Sequence, residues 1–384
     1  MSSLPGSSVS QFQETTVRGV PFRYVDLGRG TPIVFVHGMV CDHRVWNAHL
    51  KALSTRFRCI AYDQRYFGVD DWPKDGPPYA VETHADDLAS FIEAVVQSPA
   101  HLVGHSYGGS VVLALARARP DWVKSLCLYE PAALPATISD PEHLATIATE
   151  RGGMAPVIDT FTKGDQAAAV KQAVEYIEGI PGSFNSLPGA VQQAILANAH
   201  TLGQHFSAPP ANLSCTDLHE VSAPVTLLWG ADTRPYFAIF AKVIGQCLAD
   251  VEVVVLPGHA QAALRAGRPR GGRRLRAGLE LLDQTVEVPR DQPVPQGLDR
   301  LRPQPVVDPA AILPIAQQTR LLHHPEVERE ARLGQSQITR EVADVALTIA
   351  QRLHDLGRVE RGARGVRGQQ LTARLPDPRR DGLQ

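Results

Sequence analysis

Residues 101–109 read HLVGHSYGG, and this stretch decides the fold class of the chain. It opens with an apolar run short enough to be a buried strand. Glycines on both sides of Ser106 permit a sharp turn. The residues that follow, SVVLALARA, are rich in Ala and Leu, which favour a helix. A strand that turns directly into a helix is the repeating unit of sheets covered by helices.

Other short apolar runs follow the same plan on both sides of this stretch. Each ends at a polar residue or a glycine: PIVFVHG, FRCIAYDQ, KSLCLYEP, PVTLLWGAD and VEVVVLPGH. Continuous apolar runs of this length are typical of parallel strands covered on both faces. An earlier pair of runs, ETTVRG and VPFRYVDLG, predicts a hairpin. We therefore expect an α/β fold, with a mostly parallel sheet flanked by helices.

The alternation of strands and helices stops between about residues 131 and 223. Segments such as PEHLATIATE and QAAAVKQAVEYIEGI have helical periodicity. A helical insertion between two core strands predicts a lid. We therefore expect an α/β core over residues 1–260, with a helical lid at about 131–223.

The turn at Ser106 also gives the first indication of chemistry. Gly104 to Gly108 form the pattern G-x-S-x-G between a strand and a helix, which is the context of a nucleophilic serine. Such a turn exposes the hydroxyl, and the helix N-terminus behind it favours developing negative charge. The alternative is a tight turn in which Ser106 only caps the helix.

The segment FVHGM at residues 35–39 supplies the second part of the predicted site. It ends a strand about 70 residues before the serine and can place a backbone N–H beside it. The N–H groups of Met39 and Tyr107 are then the expected donors to an oxyanion. His37 itself is expected to be a packed loop residue.

In this order the segments PIVFVHG, IAYDQRYFG, HLVGHSYGG, CLYEP and LLWGAD resemble the α/β-hydrolase superfamily, in its lidded esterase, C–C hydrolase and perhydrolase-like branches. The resemblance covers about residues 15–260. It implies a triad of serine, acid and histidine in chain order, and a lid that contributes to the substrate pocket. A serine nucleophile differs from the aspartate of the haloalkane dehalogenase and epoxide hydrolase branches. The segment DQRYFGVD departs from the usual D-x-R-G-x-G-x-S and brings Tyr66 and Phe67 near the pocket rim.

Two carboxylates could supply the acid of this triad. Asp232 follows the strand PVTLLWG, where the superfamily usually carries the acid. Glu130 ends the strand after the nucleophile, where some members carry it. Asp232 is slightly preferred, but both stay open, and either could instead be a loop cap or a surface carboxylate. The acid would hold the imidazole of the base in one tautomer and stabilise its charged form.

His259, which follows the strand VEVVVLP, is the predicted general base. Members of the superfamily often carry this histidine two residues later, at the position that Gln261 occupies here. An apolar helix usually follows, whereas this chain continues as AALRAGRPRGGRR.

The sequence changes character after residue 260. Every aromatic residue, Lys, Met and Cys lies before residue 261, and every basic residue beyond it is Arg. One hypothesis is a reading-frame shift in the coding DNA, and the other is a genuine basic extension. We expect residues 261–384 to be largely disordered or irregular. Acidic residues dilute the Arg-rich tail and it has no aromatic residue for base stacking, so we expect no nucleic-acid partner.

The charge and residue composition of the whole chain set few limits on its partners and its location. The net charge of −2 indicates no charged partner, and no stretch is apolar enough to predict a signal peptide or a membrane span. The scattered cysteines predict thiols in a reducing compartment, and so a cytoplasmic protein; they are Cys41, Cys59, Cys127, Cys215 and Cys247. Several histidines form no metal-ligand pattern and are expected at the surface or in the lid; they are His43, His84, His101, His200, His205 and His219.

The leading hypothesis is a serine hydrolase that acts on an ester or a related acyl or carbonyl group of a small molecule. It would use a Ser-His-acid mechanism through an acyl-enzyme, with no metal or other cofactor. The competing hypothesis is a catalytically impaired homologue, either a ligand-binding relic or a damaged gene product. The sequence names neither the substrate nor the oligomeric state.

Overall fold

A computed structural model describes residues 12–68, 72, 75–132, 138–209, 211, 213–231 and 233–256. Asp232, His259 and Gln261 lie outside these described residues. So does the whole Arg-rich segment beyond residue 260. The predictions made for them, including the domain boundary at residue 260, stay predictions.

The described strands form one eight-stranded sheet in the order β1-β2-β4-β3-β5-β6-β7-β8. The first pair forms the predicted hairpin, β2 is antiparallel to β4, and the other neighbouring pairs are parallel. The predicted mostly parallel sheet is confirmed. The strands are β1 Gln13–Val17, β2 Val20–Leu27, β3 Pro32–Val36, β4 Arg58–Tyr62, β5 Ala100–His105, β6 Val123–Tyr129, β7 Val225–Gly230 and β8 Val251–Leu256.

Helices flank this sheet, as the sequence predicts. Among the described residues, no helix is both long and apolar enough to cross a membrane. The helices are α1 Asn47–Leu53, α2 Val81–Phe91, α3 Tyr107–Ala118, α4 Pro141–Gly152, α5 Ala155–Thr162, α6 Gln166–Glu178, α7 Gly189–Ala197, α8 Thr201–Ser207, α9 Cys215–His219 and α10 Pro235–Cys247.

The central strands are buried on both faces, which explains their continuous apolar sequences. All of β3 is buried. On one face of the sheet Phe35 packs with Trp46 and Leu50, and on the other Val34 belongs to a core that includes Leu88 and Val112. Parallel strands end at the same edge of a sheet, so the turns that follow β3, β5, β6 and β7 lie together there.

The helices α4 to α8 lie between β6 and β7, where the sequence predicts a helical insertion. We call residues 138–209 the insert. It has its own buried core, which includes Val170, Phe184 and Ile195. Met39 and Val40, from the loop after β3, belong to this same core. A role of the insert as a lid stays a prediction.

The expectation that all the cysteines are thiols is wrong. Cys215 at the start of α9 and Cys247 at the end of α10 form a disulfide with a Cα–Cα distance of 5.0 Å. The other three, Cys41, Cys59 and Cys127, are buried thiols, as expected. The inference of a reducing compartment loses its support, and a cytoplasmic location stays a prediction.

Candidate active site

Ser106 occupies the turn between β5 and α3 in a strained backbone conformation. Its φ is 50° and its ψ is −118°, values that residues with a side chain rarely adopt. Two backbone hydrogen bonds fix the turn, from Ser106 N to Tyr129 O at 3.0 Å and from Ala132 N to Ser106 O at 2.9 Å. The strain is therefore held in place by the end of β6 and the chain that follows it. Strained residues of this kind cluster at functional sites.

The glycines of the G-x-S-x-G pattern are required by close packing rather than by their own φ angles. A methyl group on Gly104 would lie 2.7 Å from Gly108 O, and one on Gly108 would lie 2.4 Å from Val36 O. The first residues of α3 therefore press directly on the ends of β5 and β3. The turn at Ser106 can be this sharp only because both positions lack a side chain.

The loop after β3 packs against the turn at Ser106. A methyl group on Gly38 would lie 3.2 Å from both His105 O and Ser106 Cβ, so the loop packs closely on the Ser106 turn. Met39 follows Gly38 in this loop, and Tyr107 follows Ser106 at the start of α3. The two residues expected to supply oxyanion donors are thus the immediate neighbours of this contact.

His37 is fully buried and ties this loop to the chain after β4. Its Nδ1 donates to Gly38 O at 3.0 Å, because its Nε2 accepts from the backbone N–H of Gln64 at 3.1 Å. Burial lowers the pKa of His37, with Asp63 acting in the opposite direction. A neutral ring whose two nitrogens both bond to backbone groups orders the loop, as expected of a packed residue.

Glu130 lies directly after β6, beside the Ser106 turn. It is 0% exposed and has a φ of 43°. Its Oε1 accepts a hydrogen bond from Gly230 N at 2.9 Å, whereas its buried Oε2 has no well-formed hydrogen bond to a described residue. Burial raises the pKa of Glu130 to about 7, against the lowering effect of Gly230 and Thr233. The plain alternative of a surface carboxylate is therefore wrong for Glu130.

A largely buried group of aromatic rings and histidines surrounds the Tyr107 side chain. Its hydroxyl forms a 2.6 Å hydrogen bond with Nδ1 of His84, and the rings of Tyr79 and His205 lie 5.3 and 5.5 Å from its own. Burial lowers the pKa of His84 to about 3 and that of His205 to about 4. Both rings are therefore neutral near pH 7.

The expectation of a surface or lid position is wrong for His84 and also for His101, which is buried and bonds to Ser125 Oγ at 2.7 Å. The sequence contains a signal for His84. Val81, His84 and Leu88 follow one another at the spacing of one helical face, and that face of α2 is buried.

A further group, missed in the sequence, consists of Asp42, His43 and Asp63, whose ligand atoms lie within 4.8 Å of one another. These are the described residues that could hold a metal ion. However, the atoms that could bind a metal already form hydrogen bonds within the protein. Arg44 bonds to both oxygens of Asp42 at 2.9 and 2.6 Å, and His43 Nδ1 bonds to Asp63 at 2.7 Å. The group acts as an internal ion-pair cluster.

The geometry agrees with a family match. Residues 31–247 match the family model described as alpha/beta hydrolase fold. The chain belongs to this family. Ser106 lies at the strand–helix turn where an α/β hydrolase carries its nucleophile.

Two curated relatives of this α/β hydrolase show how wide the family is. The chain is 36% identical over 253 residues to 2-(acetamidomethylene)succinate hydrolase of Mesorhizobium japonicum, a match that covers 62% of this chain and 87% of the relative. It is 29% identical over 243 residues to a non-heme chloroperoxidase of Streptomyces lividans, covering 58% of this chain and 83% of the relative. The family therefore does not decide the reaction.

Solved structures agree on the fold. Carboxylesterase CesB of Bacillus subtilis superposes with a TM-score of 0.52 at 18% identity, covering 67% of this chain and 87% of that chain. Esterase RhEst1 of Rhodococcus superposes with a TM-score of 0.51 at 21% identity, covering 65% and 91%. At such identities the likeness is one of fold alone.

Proposed function

We propose that this α/β hydrolase is a serine hydrolase that cleaves an ester or related acyl bond of a small molecule through an acyl-enzyme. The observation that carries the proposal is the strained turn at Ser106, packed closely against the loop that bears Met39. A strained serine at a helix N-terminus, beside two candidate N–H donors, is the arrangement that acyl transfer needs.

In the proposed mechanism Ser106 Oγ attacks the acyl carbon while His259 takes its proton. The N–H groups of Met39 and Tyr107 bind the oxygen that becomes negative. The imidazolium of His259 then protonates the leaving group, and the acyl group remains on Ser106. Water, deprotonated by His259, attacks the acyl-enzyme and regenerates the serine.

For the acid that orients His259 we infer Glu130 rather than Asp232. Glu130 is buried beside the Ser106 turn and has an oxygen without a well-formed hydrogen bond to a described residue. Burial raises the pKa of this carboxyl above its usual range, and an adjacent imidazolium would lower that pKa again. Asp232 lies outside the described residues, so the preference rests on the features of Glu130.

The substrate class is inferred from chemistry and from the relatives. The Mesorhizobium relative is named for a substrate with an acetamido group, which is an acetyl amide. Acetyl esters and acetyl amides are therefore the first compounds to test. The inserted helices, as a lid, would complete the pocket for such a substrate.

The proposal is tested with p-nitrophenyl acetate and a fluorophosphonate probe, on the full chain and on Ser106→Ala. We expect hydrolysis and covalent labelling that both require Ser106. A folded protein that neither turns over the ester nor reacts with the probe would instead be the catalytically impaired homologue.

The identity of the acid is tested by comparing Glu130→Gln with Asp232→Asn. We expect Glu130→Gln to lower kcat by about 10²–10⁴-fold, because the imidazole loses the group that fixes its tautomer. Asp232→Asn should change kcat much less. The reverse order of effects would return the role to Asp232.

In the same series, His259→Ala should lower the rate by about 10⁴-fold if His259 is the base.

A further inference from the structure

The loop that carries the proposed oxyanion donor is itself strained. We call residues 37–44 the oxyanion loop. Val40 in this loop is buried and has a φ of 49°, a left-handed conformation that is unfavourable for a β-branched residue. Such a conformation persists only where surrounding contacts impose it.

The insert supplies part of the contacts that hold the oxyanion loop. Met39, Val40 and Cys41 are packed in the core formed by the insert helices, with Val170, Phe184 and Ile195 among their neighbours in that core. Apolar packing of this kind holds the loop against the insert, but it is non-directional. Directional contacts are needed to fix a backbone N–H to within a fraction of an ångström.

Asn198, at the end of α7 in the insert, supplies those contacts. It is 0% exposed. Its Nδ2 donates to Asp42 Oδ2 at 2.9 Å and to Ala194 O at 2.7 Å, and its Oδ1 accepts from Gly68 N at 2.7 Å. One amide thus joins the insert, the oxyanion loop and the chain after β4.

The partners of Asn198 are themselves fixed. Asp42 also accepts from the backbone N and the guanidinium of Arg44. The next residue, His43, bonds through its backbone N and its Nδ1 to Asp63 Oδ1, at 2.8 and 2.7 Å. The end of the oxyanion loop is therefore fixed by partly buried, charge-assisted hydrogen bonds, which are the stronger kind.

We propose that Asn198 is a positioning residue for catalysis, which holds the oxyanion loop in its strained form through Asp42. It touches no reacting atom and acts through the loop that bears Met39. The oxyanion loop therefore takes its strained form only when the insert packs against it. The catalytic side of this inference rests on the proposed function.

An amide is the side chain that these contacts require. Asn198 must donate toward Asp42 and accept from Gly68 at once, and a carboxylate cannot do both. In Asn198→Asp the new carboxylate would face that of Asp42 in a buried place, so this variant should be worse than Asn198→Ala. The exchange variant Asp42→Asn/Asn198→Asp restores a donor and an acceptor between the two positions and should recover part of the loss.

The experiment compares the wild type with Asn198→Ala and with Asn185→Ala, a matched control because Asn185 is an exposed asparagine of the same insert. The first measurement is amide hydrogen exchange. In Asn198→Ala we expect faster exchange in the oxyanion loop and unchanged exchange in β5. In Asn185→Ala both should match the wild type. Unchanged exchange of the loop in Asn198→Ala would overturn the proposal.

The second measurement separates positioning from loss of fold. We expect kcat for p-nitrophenyl acetate to fall by about 10–100-fold with little change in KM, since a misplaced donor weakens only the transition state. The inhibition constant of an aryl trifluoromethyl ketone, which adds to Ser106 and forms an anionic oxygen, should rise by a similar factor. A loss of activity that only follows the loss of folded protein, with ketone binding per folded molecule unchanged, would overturn the positioning role.

The two proposals fail in different ways. A wild type that reacts with neither the ester nor the fluorophosphonate overturns the proposed function and the catalytic side of this inference together. An active wild type with an unaffected Asn198→Ala overturns this inference alone.

Discussion

At the scale of single residues, Glu130 has a conformation and a burial that cost stability, whereas the proposed chemistry needs a buried carboxyl at this position. Its backbone adopts the left-handed region and its carboxyl is fully buried, with a pKa raised to about 7. Strained residues are unfavourable by roughly 1–3 kcal/mol each. Stability alone gives no reason to keep a carboxyl in such a place, whereas the proposed pairing of Glu130 with an imidazolium would account for it.

The free energy of unfolding should therefore depend on pH in a way that reports the raised pKa of Glu130. A carboxyl whose pKa is raised in the folded state favours folding while it is protonated, and this contribution is lost as the pH rises from about 4.5 to about 7. Glu130→Gln keeps the acceptor for Gly230 and cannot ionise. We expect it to raise the free energy of unfolding by about 1–3 kcal/mol at about pH 8 and to change it little at about pH 4.

Urea denaturation of both proteins at the two pH values measures this difference, and the other titrating groups cancel because they are common to both. Equal stabilities at the higher pH would show that the Glu130 carboxylate has a partner there. His259 would then be the first candidate for that partner, to be examined with His259→Ala.

The sequence predicts the local backbone of single residues where a turn imposes a pattern, and it fails where burial decides. Ser106 is recognisable because a sharp strand–helix turn needs glycines at fixed spacing. The choice between Glu130 and Asp232 stays open in the sequence because both follow strands, and burial is a property of the assembled sheet. His84 is misjudged for the same reason, since its type alone suggests the surface.

At the scale of elements, the site depends on how closely α3 approaches the ends of β3 and β5. Gly108 stands where this approach is tightest, with Val36 O at 2.4 Å and His37 O at 2.6 Å from the place of a Cβ. Any side chain there must move either the helix or the strand. The position of Ser106 is thus a consequence of packing between whole elements.

Gly108→Ala should consequently disturb both stability and labelling. We expect the free energy of unfolding to fall by about 1–3 kcal/mol, as is usual for an overpacked core, and the rate of fluorophosphonate labelling to fall with it. Gly189→Ala is the control, because a Cβ at Gly189 in α7 meets nothing within 4 Å. That variant should be as stable as the wild type or slightly more stable. A tolerated Gly108→Ala would mean that α3 can shift without harm.

The elements themselves are largely predictable, and the contacts between distant elements are not. Continuous apolar runs identify the strands of the parallel sheet, because strands buried on both faces tolerate few polar residues. The disulfide between Cys215 and Cys247 joins two helices separated by a whole strand, β7, and no local pattern indicates such a pairing. The contact of Asn198 with Asp42 has the same character.

At the scale of the whole molecule, the fold buries neutral imidazoles in several places. Burial lowers the pKa of His49 to about 4, that of His84 to about 3 and that of His101 to about 4. Neither ring nitrogen of His49 has a hydrogen-bond partner among the described residues. His43 is the opposite case. Burial lowers its pKa, but the hydrogen bond to Asp63 and the negative charges of Asp63 and Asp42 together outweigh burial, so the pKa is raised.

The protein should therefore lose stability steeply in mild acid. In the unfolded chain these histidines bind protons below about pH 6.5, whereas the folded state keeps them neutral down to about pH 4. Each of them should remove about 1.4 kcal/mol of unfolding free energy per pH unit in this window. Thermal unfolding from pH 7 to pH 4 measures the slope. His49→Leu should reduce it, and a flat profile would show that water reaches these rings.

The disulfide between Cys215 and Cys247 also affects how cleavage of the chain is detected on a denaturing gel. It closes a loop with a sequence separation of 32 that contains β7 and α10. A protease that cuts once inside this loop leaves two pieces joined by a covalent bond. Such a nicked molecule has nearly the mass of an intact one, and it separates on a denaturing gel only after a reductant is added. Purity judged without reductant would therefore overlook a break next to the strand that carries Gly230.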